Sequence, residues 1–305
     1  MSNYKTVFFT LGILLIILGV AMLVPVVIQL IYDEFDSTFI ISGIITITFG
    51  ILFFLSNIDH LKLINTHQAF LLTALSWLSI ATFGSLPFFF SELNLSVTDS
   101  FFESMSGITT TGATILSNIE SSPRGILVWR SMLQWLGGIG VILMAITLMP
   151  IMNIGGMQLL KISSYDTSEK ILPKSKEISL KLIFVYTSLT FLCAFFYKIF
   201  GMNTFDSLTH SMTTIATGGF SNYDQSIGYF NNAYIEIISI LFILSGSIPF
   251  ILYIKFISDD KKIIFKDEQV KLFFKLTLVS IFVLFIYLAI VNKDVFEIHL
   301  RSVIF

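Results

Sequence analysis

The stretch DSFFESMSGITTTGAT, residues 99–114, decides the fold because it recurs as DSLTHSMTTIATGGFS, residues 206–221. The two stretches align without a gap, and aspartate, serine, Ser-Met, isoleucine, threonine and glycine recur at matching positions. Each stretch lies between two long apolar segments, so the repeating unit is a helix, a loop and a second helix. A further apolar segment, 269–291, followed by residues 294–305, predicts a third unit that stops before any Ser/Thr/Gly cluster, as expected for a piece of a longer protein.

The composition predicts an all-α membrane protein. Hydrophobic residues make up 55% of the chain and charged residues 12%, about half the charged fraction of a soluble domain, which is roughly 25%. The apolar segments reach the roughly 18–20 residues that a spanning helix needs. We expect seven spans, at Val7–Ile31, Phe39–Leu55, Ala69–Phe90, Gly125–Met149, Ile178–Phe200, Tyr234–Ile257 and Gln269–Val291.

The distribution of charge predicts the orientation. Most lysines and arginines lie near Lys62, within Lys161–Lys181 and within Lys255–Lys275, which places these segments and the N-terminus in the cytoplasm. The opposite side carries acidic residues with few basic ones: Asp33, Glu34, Asp36, Glu92, Asp99, Glu103, Glu120, Asp206 and Asp224. Both Ser/Thr/Gly clusters must then enter and leave from the outer side as re-entrant hairpins.

These assignments divide the chain into six parts. We expect two N-terminal transmembrane helices at 1–68, a first repeat at 69–160, a cytoplasmic loop at 161–177, a second repeat at 178–257, a second cytoplasmic loop at 258–268, and the first helix and start of the loop of a third repeat at 269–305.

The Ser/Thr/Gly clusters suit a cation pathway. Non-helical backbone inside a membrane is tolerated where it lines a water-filled path, and its carbonyl oxygens can replace the hydration shell of a cation. Ser96-x-x-Asp99 and Asn203-x-x-Asp206 predict the starts of short helices whose negative ends point at that path. Asp99 and Asp206 would lie near the outer mouth, where carboxylates concentrate cations.

Three further features lie in the apolar segments, and two of them allow two interpretations. Gly137-Gly138-x-Gly140 favours close helix packing. Pro249 after Gly246 predicts a kink, with a gating hinge as the alternative. Arg130 is expected to form an ion pair with Glu103 or Glu120, or to extend outward to the membrane surface.

The remaining reactive residues argue against an enzyme. Cys193 is the single cysteine, so an intrachain disulfide is impossible, and the four histidines have no metal-ligand spacing. Intramembrane enzymes need deep ionisable residues, whereas these apolar segments have almost none in their central thirds. We therefore keep an intramembrane enzyme only as a minor alternative.

Three motifs closely resemble the TrkH potassium-uptake proteins of the Trk/Ktr/HKT superfamily. They are FFESMSGITTTGAT (residues 101–114), WRSxxQWxGGxG (129–140) and IATGGFS (215–221). The resemblance implies four helix–pore–helix repeats around one pore, a homodimer in the bacterial cytoplasmic membrane, and a cytoplasmic nucleotide-binding regulatory subunit of the TrkA type. It implies that backbone carbonyls bind K+ at Thr110, Thr111, Gly112, Ala113, Thr217, Gly218, Gly219 and Phe220.

The resemblance implies potassium uptake through a selectivity filter. Two alternatives remain, a membrane subunit that only assembles with partners and a transporter permeable to both sodium and potassium. The expected surroundings are the lipid bilayer, and nothing in the sequence indicates a nucleic-acid partner.

Overall fold

The computed structural model describes residues 4–58, 65–152, 171–258 and 261–291, and the longer elements in these ranges are all α-helices. In chain order they are α1 (Lys5–Ala21), α2 (Leu23–Ile31), α3 (Thr38–Ser56), α4 (Thr66–Gly84), α5 (Leu86–Phe90), α6 (Val97–Ile108), α7 (Arg124–Met152), α8 (Ile171–Ile199), α9 (Thr204–Ile215), α10 (Ala233–Ser247), α11 (Phe250–Ser258), α12 (Ile263–Lys266) and α13 (Glu268–Val291). Short 3-10 turns occur at Ile119–Ser121 and Ser226–Phe230.

Among the described residues, five segments are long and apolar enough to cross a membrane, and a bent helix pair raises the number to six. The five are Lys5–Ile31, Thr38–Ser56, Thr66–Phe90, Glu177–Ile199 and Glu268–Leu288. The predicted fourth span lies within α7, whose 29 residues correspond to about 43 Å of helix. The protein is therefore a multi-pass membrane protein that is helical throughout its described spans.

The predicted sixth span is broken. The axes of α10 and α11 differ by 88°, and Ile248 between them is extended at φ −75° and ψ 135°. The following residue is Pro249, which disfavours helical backbone at the residue before it. The predicted kink is confirmed, but the break is much sharper than a kink within one spanning helix.

One further boundary differs from the predicted one, and several predicted features lie outside the described residues. Helix α8 begins at Ile171, inside the stretch 161–177 that was predicted as a loop. The sequence there is rich in lysine, which is a good helix former and extends the helix beyond its apolar part. The rest of that loop, His60, His299 and residues 294–305 are outside the described residues.

The N-terminal helices pack closely through small residues. A Cβ on Gly12 of α1 would lie 2.6 Å from the Phe54 backbone nitrogen and 2.7 Å from the Gly50 carbonyl oxygen of α3. Trp129 of α7 lies in the core beside these helices and donates from Nε1 to the Gly84 carbonyl oxygen of α4 at 2.9 Å. This core fixes α7 next to α6 and thereby positions the loop that follows α6.

Candidate ion pathway

Helices α6 and α9 each precede one of the two Ser/Thr/Gly clusters, and we call them the paired helices. They are equivalent in length and in their first turn. Each has 12 residues. Ser96 Oγ accepts from the Asp99 N–H at 3.1 Å, and Asn203 Oδ1 accepts from the Asp206 N–H at 2.8 Å. The predicted helix starts are confirmed, because each capping side chain satisfies a backbone donor that the helix leaves free.

The C-terminal ends of the paired helices also match. Each is closed by a hydrogen bond spanning six residues, from Thr111 N–H to Ser106 O at 3.0 Å and from Gly218 N–H to Thr213 O at 2.9 Å. This closure places the residue before the donor in the left-handed region. Thr110 and Thr217 occupy that position, at φ 55° and 51°. β-Branched residues rarely adopt this backbone, so the same local strain is present in both copies.

The segments that follow the paired helices are non-helical and lie against each other. Gly112 and Gly219 have φ of 79° and 81°, again at equivalent positions. A Cβ on Gly112 would collide with the Gly218 carbonyl oxygen of the other segment. Thr111, Ala113, Thr217 and Gly219 are exposed, Thr110 and Gly112 are half-buried, and Gly218 and Phe220 are buried. We call residues 110–113 and 217–220 the two filter segments.

Arg130 of α7 joins the two repeats behind the filter segments. Its guanidinium donates from Nε to Glu103 at 2.8 Å, from a terminal nitrogen to the Ser221 carbonyl oxygen at 2.8 Å, and to Thr114 Oγ1 at 3.2 Å. It also lies 4.2 Å from the centre of the Phe220 ring. The side chains of Arg130 and Glu103 are 1% and 0% exposed, so the predicted ion pair with Glu103 is confirmed.

Gln134, one turn further along α7, also lies behind the filter segments. Its side chain is fully buried, and Oε1 accepts from the Phe220 N–H at 3.1 Å. Its amide packs against Gly218, where a Cβ would overlap it. The sequence alone assigned no role to Gln134, and a polar amide one turn after Arg130, within a predicted membrane span, was the signal that could have drawn attention to it.

The two repeats differ in the polar side chain at one equivalent position. In the first repeat, Glu103 accepts from Thr114 Oγ1 at 2.9 Å. In the second, His210 occupies the matching position, and its Nε2 lies 3.0 Å from Ser221 Oγ. Each side chain therefore connects the end of its filter segment to the helix before it, through a carboxyl group in the first repeat and an imidazole in the second.

Asp99 and Asp206 have different surroundings. Asp99 is half-buried and accepts from Ser96 Oγ at 2.7 Å. Asp206 is 2% exposed and accepts from Asn222 at 2.8 Å and from the Tyr223 hydroxyl at 2.7 Å. Burial, and then the bond to Asp206, raise the pKa of Tyr223 above its ordinary value. Asp206 is thus an internal hydrogen-bond acceptor, whereas Asp99 remains accessible.

A cavity of about 810 Å³ lies beside the first turn of α9. Its walls include Asp206 and several further acidic side chains, Glu34, Asp36, Glu92 and Glu120. Glu34 is paired with Arg124 at 2.5 Å. Within the described ranges, no three His, Cys, Asp or Glu side chains are close enough together to hold a metal ion.

Comparison with known proteins identifies the family. The family model described as "TrkH: Cation transport protein" matches residues 36–296. The chain belongs to the TrkH cation transport family. It is 37% identical to the Trk system potassium uptake protein TrkI of Halomonas elongata over 91% of this chain and 57% of that protein. It is 36% identical to TrkH of Escherichia coli K12 over 89% of this chain and 57% of that protein.

The crystal structure of the potassium transporter TrkH from Vibrio parahaemolyticus has the same fold. It superimposes with a TM-score of 0.86 and 32% identity, over 99% of this chain and 62% of that one. The chain thus spans about half the length of the TrkH relatives it matches. TrkH proteins are transporters, so the alternative of an intramembrane enzyme is excluded.

Proposed function

We propose that this chain forms part of a potassium-uptake pathway in which the backbone carbonyls of residues 110–113 and 217–220 bind the ion. The observation that carries the proposal is the matching backbone of the two filter segments. Thr110 and Thr217 share one left-handed position, and Gly112 and Gly219 share another. A pathway with repeated walls needs the same backbone in each wall so that equivalent carbonyls face one axis.

The surroundings of the filter segments support the same function. The negative ends of α6 and α9 both lie next to the segments, where a helix C-terminus favours a cation. The membrane potential would draw each K+ inward with about 2.3 kcal/mol per 100 mV. Asp99, and the acidic cavity that includes Asp206, would raise the local concentration of cations on the outer side.

The resemblance to TrkH proteins extends the proposal to location and partners. We propose a bacterial cytoplasmic membrane protein with a cytoplasmic N-terminus, a homodimer, and a nucleotide-binding regulatory subunit of the TrkA type on the cytoplasmic face. The six-part division of the chain is proposed with them. The predicted lysine-rich cytoplasmic segment, 161–181, supports the orientation through the positive-inside rule.

Expression of the native gene in a bacterium that lacks potassium-uptake systems tests the function. We expect growth at low potassium, and uptake of radioactive rubidium that potassium inhibits better than sodium. Equal inhibition by both ions would favour the sodium- and potassium-permeable alternative. Correct membrane insertion without rubidium uptake would contradict the proposal and favour a non-conducting assembly subunit.

A further inference from the structure

Gln134 lies where the two filter segments meet. It belongs to the second helix of the first repeat, yet its hydrogen bond is to the second repeat, at the Phe220 N–H. A Cβ on Gly218 would overlap the amide carbon, oxygen and nitrogen of Gln134. A Cβ on Gly112 would lie 3.8 Å from Nε2. One fully buried side chain therefore contacts the second filter segment and approaches the first.

The orientation of the Gln134 amide follows from its partner. A backbone N–H can only donate, so the atom facing Phe220 is the amide oxygen, and the NH2 group points elsewhere. That group, Nε2, is buried and has no hydrogen-bond partner among the residues that the structure describes. A buried donor without an acceptor is destabilising, and native structures retain few of them. Nε2 is thus a free donor at the junction of the filter segments.

The Gly218 carbonyl offers an acceptor on the same side of Gly112 as this donor. Its oxygen lies against the same face of Gly112 that Nε2 approaches. A carbonyl oxygen has two lone pairs, so it can bind a cation with one and accept a hydrogen bond with the other. A small adjustment of the segment when an ion enters would satisfy Nε2.

We propose that Gln134 is a positioning residue that sets the distance between the two filter segments, and with it the preference for K+ over Na+. Oε1 accepts a hydrogen bond from the Phe220 N–H of the second segment, and Nε2 donates one to the Gly218 carbonyl when an ion occupies the filter. This inference rests on the proposed potassium-uptake function. Selectivity between the two ions depends on the size of the site and on the number and field strength of its carbonyls. A filter segment that is not held in position therefore loses the preference for K+ over Na+.

Substitution of Gln134 separates this role from a merely structural one. Gln134→Met keeps the length of the side chain but removes both hydrogen-bonding atoms. Gln134→Glu keeps an acceptor for the Phe220 N–H and, when its buried carboxyl is protonated, a donor. Gln29→Met is the matched control, because Gln29 is also a buried glutamine with an unpartnered amide atom, Oε1, but borders the acidic cavity.

The measurement is rubidium uptake by the native gene product in proteoliposomes, with competition by potassium or sodium. We expect Gln134→Met to reduce the ratio of potassium to sodium inhibition roughly tenfold, about the effect of losing the one hydrogen bond, from Nε2, that forms only with an ion in the filter. Gln134→Glu should recover part of the ratio, and Gln29→Met should retain all of it. The amount of folded protein is measured in parallel by size-exclusion chromatography.

Two results would overturn the inference in distinguishable ways. If Gln134→Met lowers uptake or protein yield but leaves the potassium-to-sodium ratio unchanged, Gln134 is a structural residue only. If the unsubstituted protein itself takes up no rubidium or does not prefer potassium, the proposed function fails, and the role of Gln134 in selectivity fails with it.

Discussion

Gly112 and Gly219 share a left-handed backbone but have different neighbours. Gly112 faces the Gly218 carbonyl oxygen, whereas a Cβ on Gly219 would meet no atom of the described ranges within 4 Å. Left-handed backbone costs a residue with a side chain roughly 1–2 kcal/mol, and overpacking adds about 1–3 kcal/mol.

We therefore predict that Gly112→Ala lowers the free energy of unfolding more than Gly219→Ala, by about 1–3 kcal/mol. Denaturant unfolding in detergent micelles measures both variants, and rubidium uptake should fall in the same order. Equal losses for the two variants would show that the filter segments do not approach each other as described.

The Arg130–Glu103 ion pair is buried, whereas the Arg124–Glu34 pair on the same helix is 42% and 35% exposed. Removing one partner of a buried pair leaves an uncompensated charge and costs about 3–5 kcal/mol, whereas an exposed pair contributes about 0–1 kcal/mol. We predict that Arg130→Met destabilises the protein by several kcal/mol and that Arg124→Met, its matched control, changes stability by less than about 1 kcal/mol. A double-mutant cycle with Glu103→Gln should show strong coupling, and strictly additive losses would contradict the pairing.

At the residue scale, the sequence predicted the ion pair but not the role of Gln134. Arg130 and Glu103 carry opposite charges in apolar surroundings, so each has few possible partners. Gln134 instead bonds a backbone N–H at Phe220, 86 positions further along the chain. A backbone partner has no sequence signature, and the contact depends on the packing of two repeats.

At the scale of elements, glycines allow the second helix of each repeat to contact the end of the short helix in the same repeat, α7 with α6 and α10 with α9. A Cβ on Gly137 of α7 would collide with the carbonyl oxygen of Ile108, the last residue of α6. A Cβ on Gly246 of α10 would lie 2.6 Å from the carbonyl oxygen of Ile215, the last residue of α9. The predicted packing role is confirmed for Gly137, whereas a Cβ on Gly140 would meet no described atom within 4 Å.

We predict that Gly137→Ala and Gly246→Ala each displace the end of a paired helix and reduce both stability and rubidium uptake. The expected loss of stability is about 1–3 kcal/mol. Gly140→Ala is the control and should leave both quantities nearly unchanged, or slightly raise stability through its helix propensity. A Gly140→Ala variant as impaired as the other two would contradict this packing.

The position of the bend between α10 and α11 could be predicted from the sequence, but its angle could not. Gly246 and Pro249 identified the position of the break in the sequence. Its 88° angle was not predictable, because it depends on tertiary contacts such as the hydrogen bond from the Tyr253 hydroxyl to the Ser245 carbonyl oxygen at 2.8 Å. Apolar segments reveal length and hydrophobicity, whereas direction depends on packing.

At the scale of the whole molecule, this chain corresponds to part of a larger TrkH fold. It superimposes over 99% of its length on 62% of the Vibrio parahaemolyticus transporter. We predict that a chimera in which this chain replaces the aligned part of that transporter supports growth at low potassium. The same chimera with Gly112→Ala should grow poorly. Loss of growth by a well-folded, membrane-inserted parent chimera would show that the two chains do not form equivalent parts of a pathway.

The ion-binding role of the two filter segments is tested most directly by locating the ion. Crystals of the native gene product grown with thallium(I), a heavy substitute for K+, would show its position by anomalous diffraction. We predict a peak in contact with backbone carbonyl oxygens of both residues 110–113 and residues 217–220, and its loss when potassium replaces thallium. A peak bound only by the carboxylates of the cavity beside Asp206, or no peak between the segments, would contradict ion binding by the filter segments.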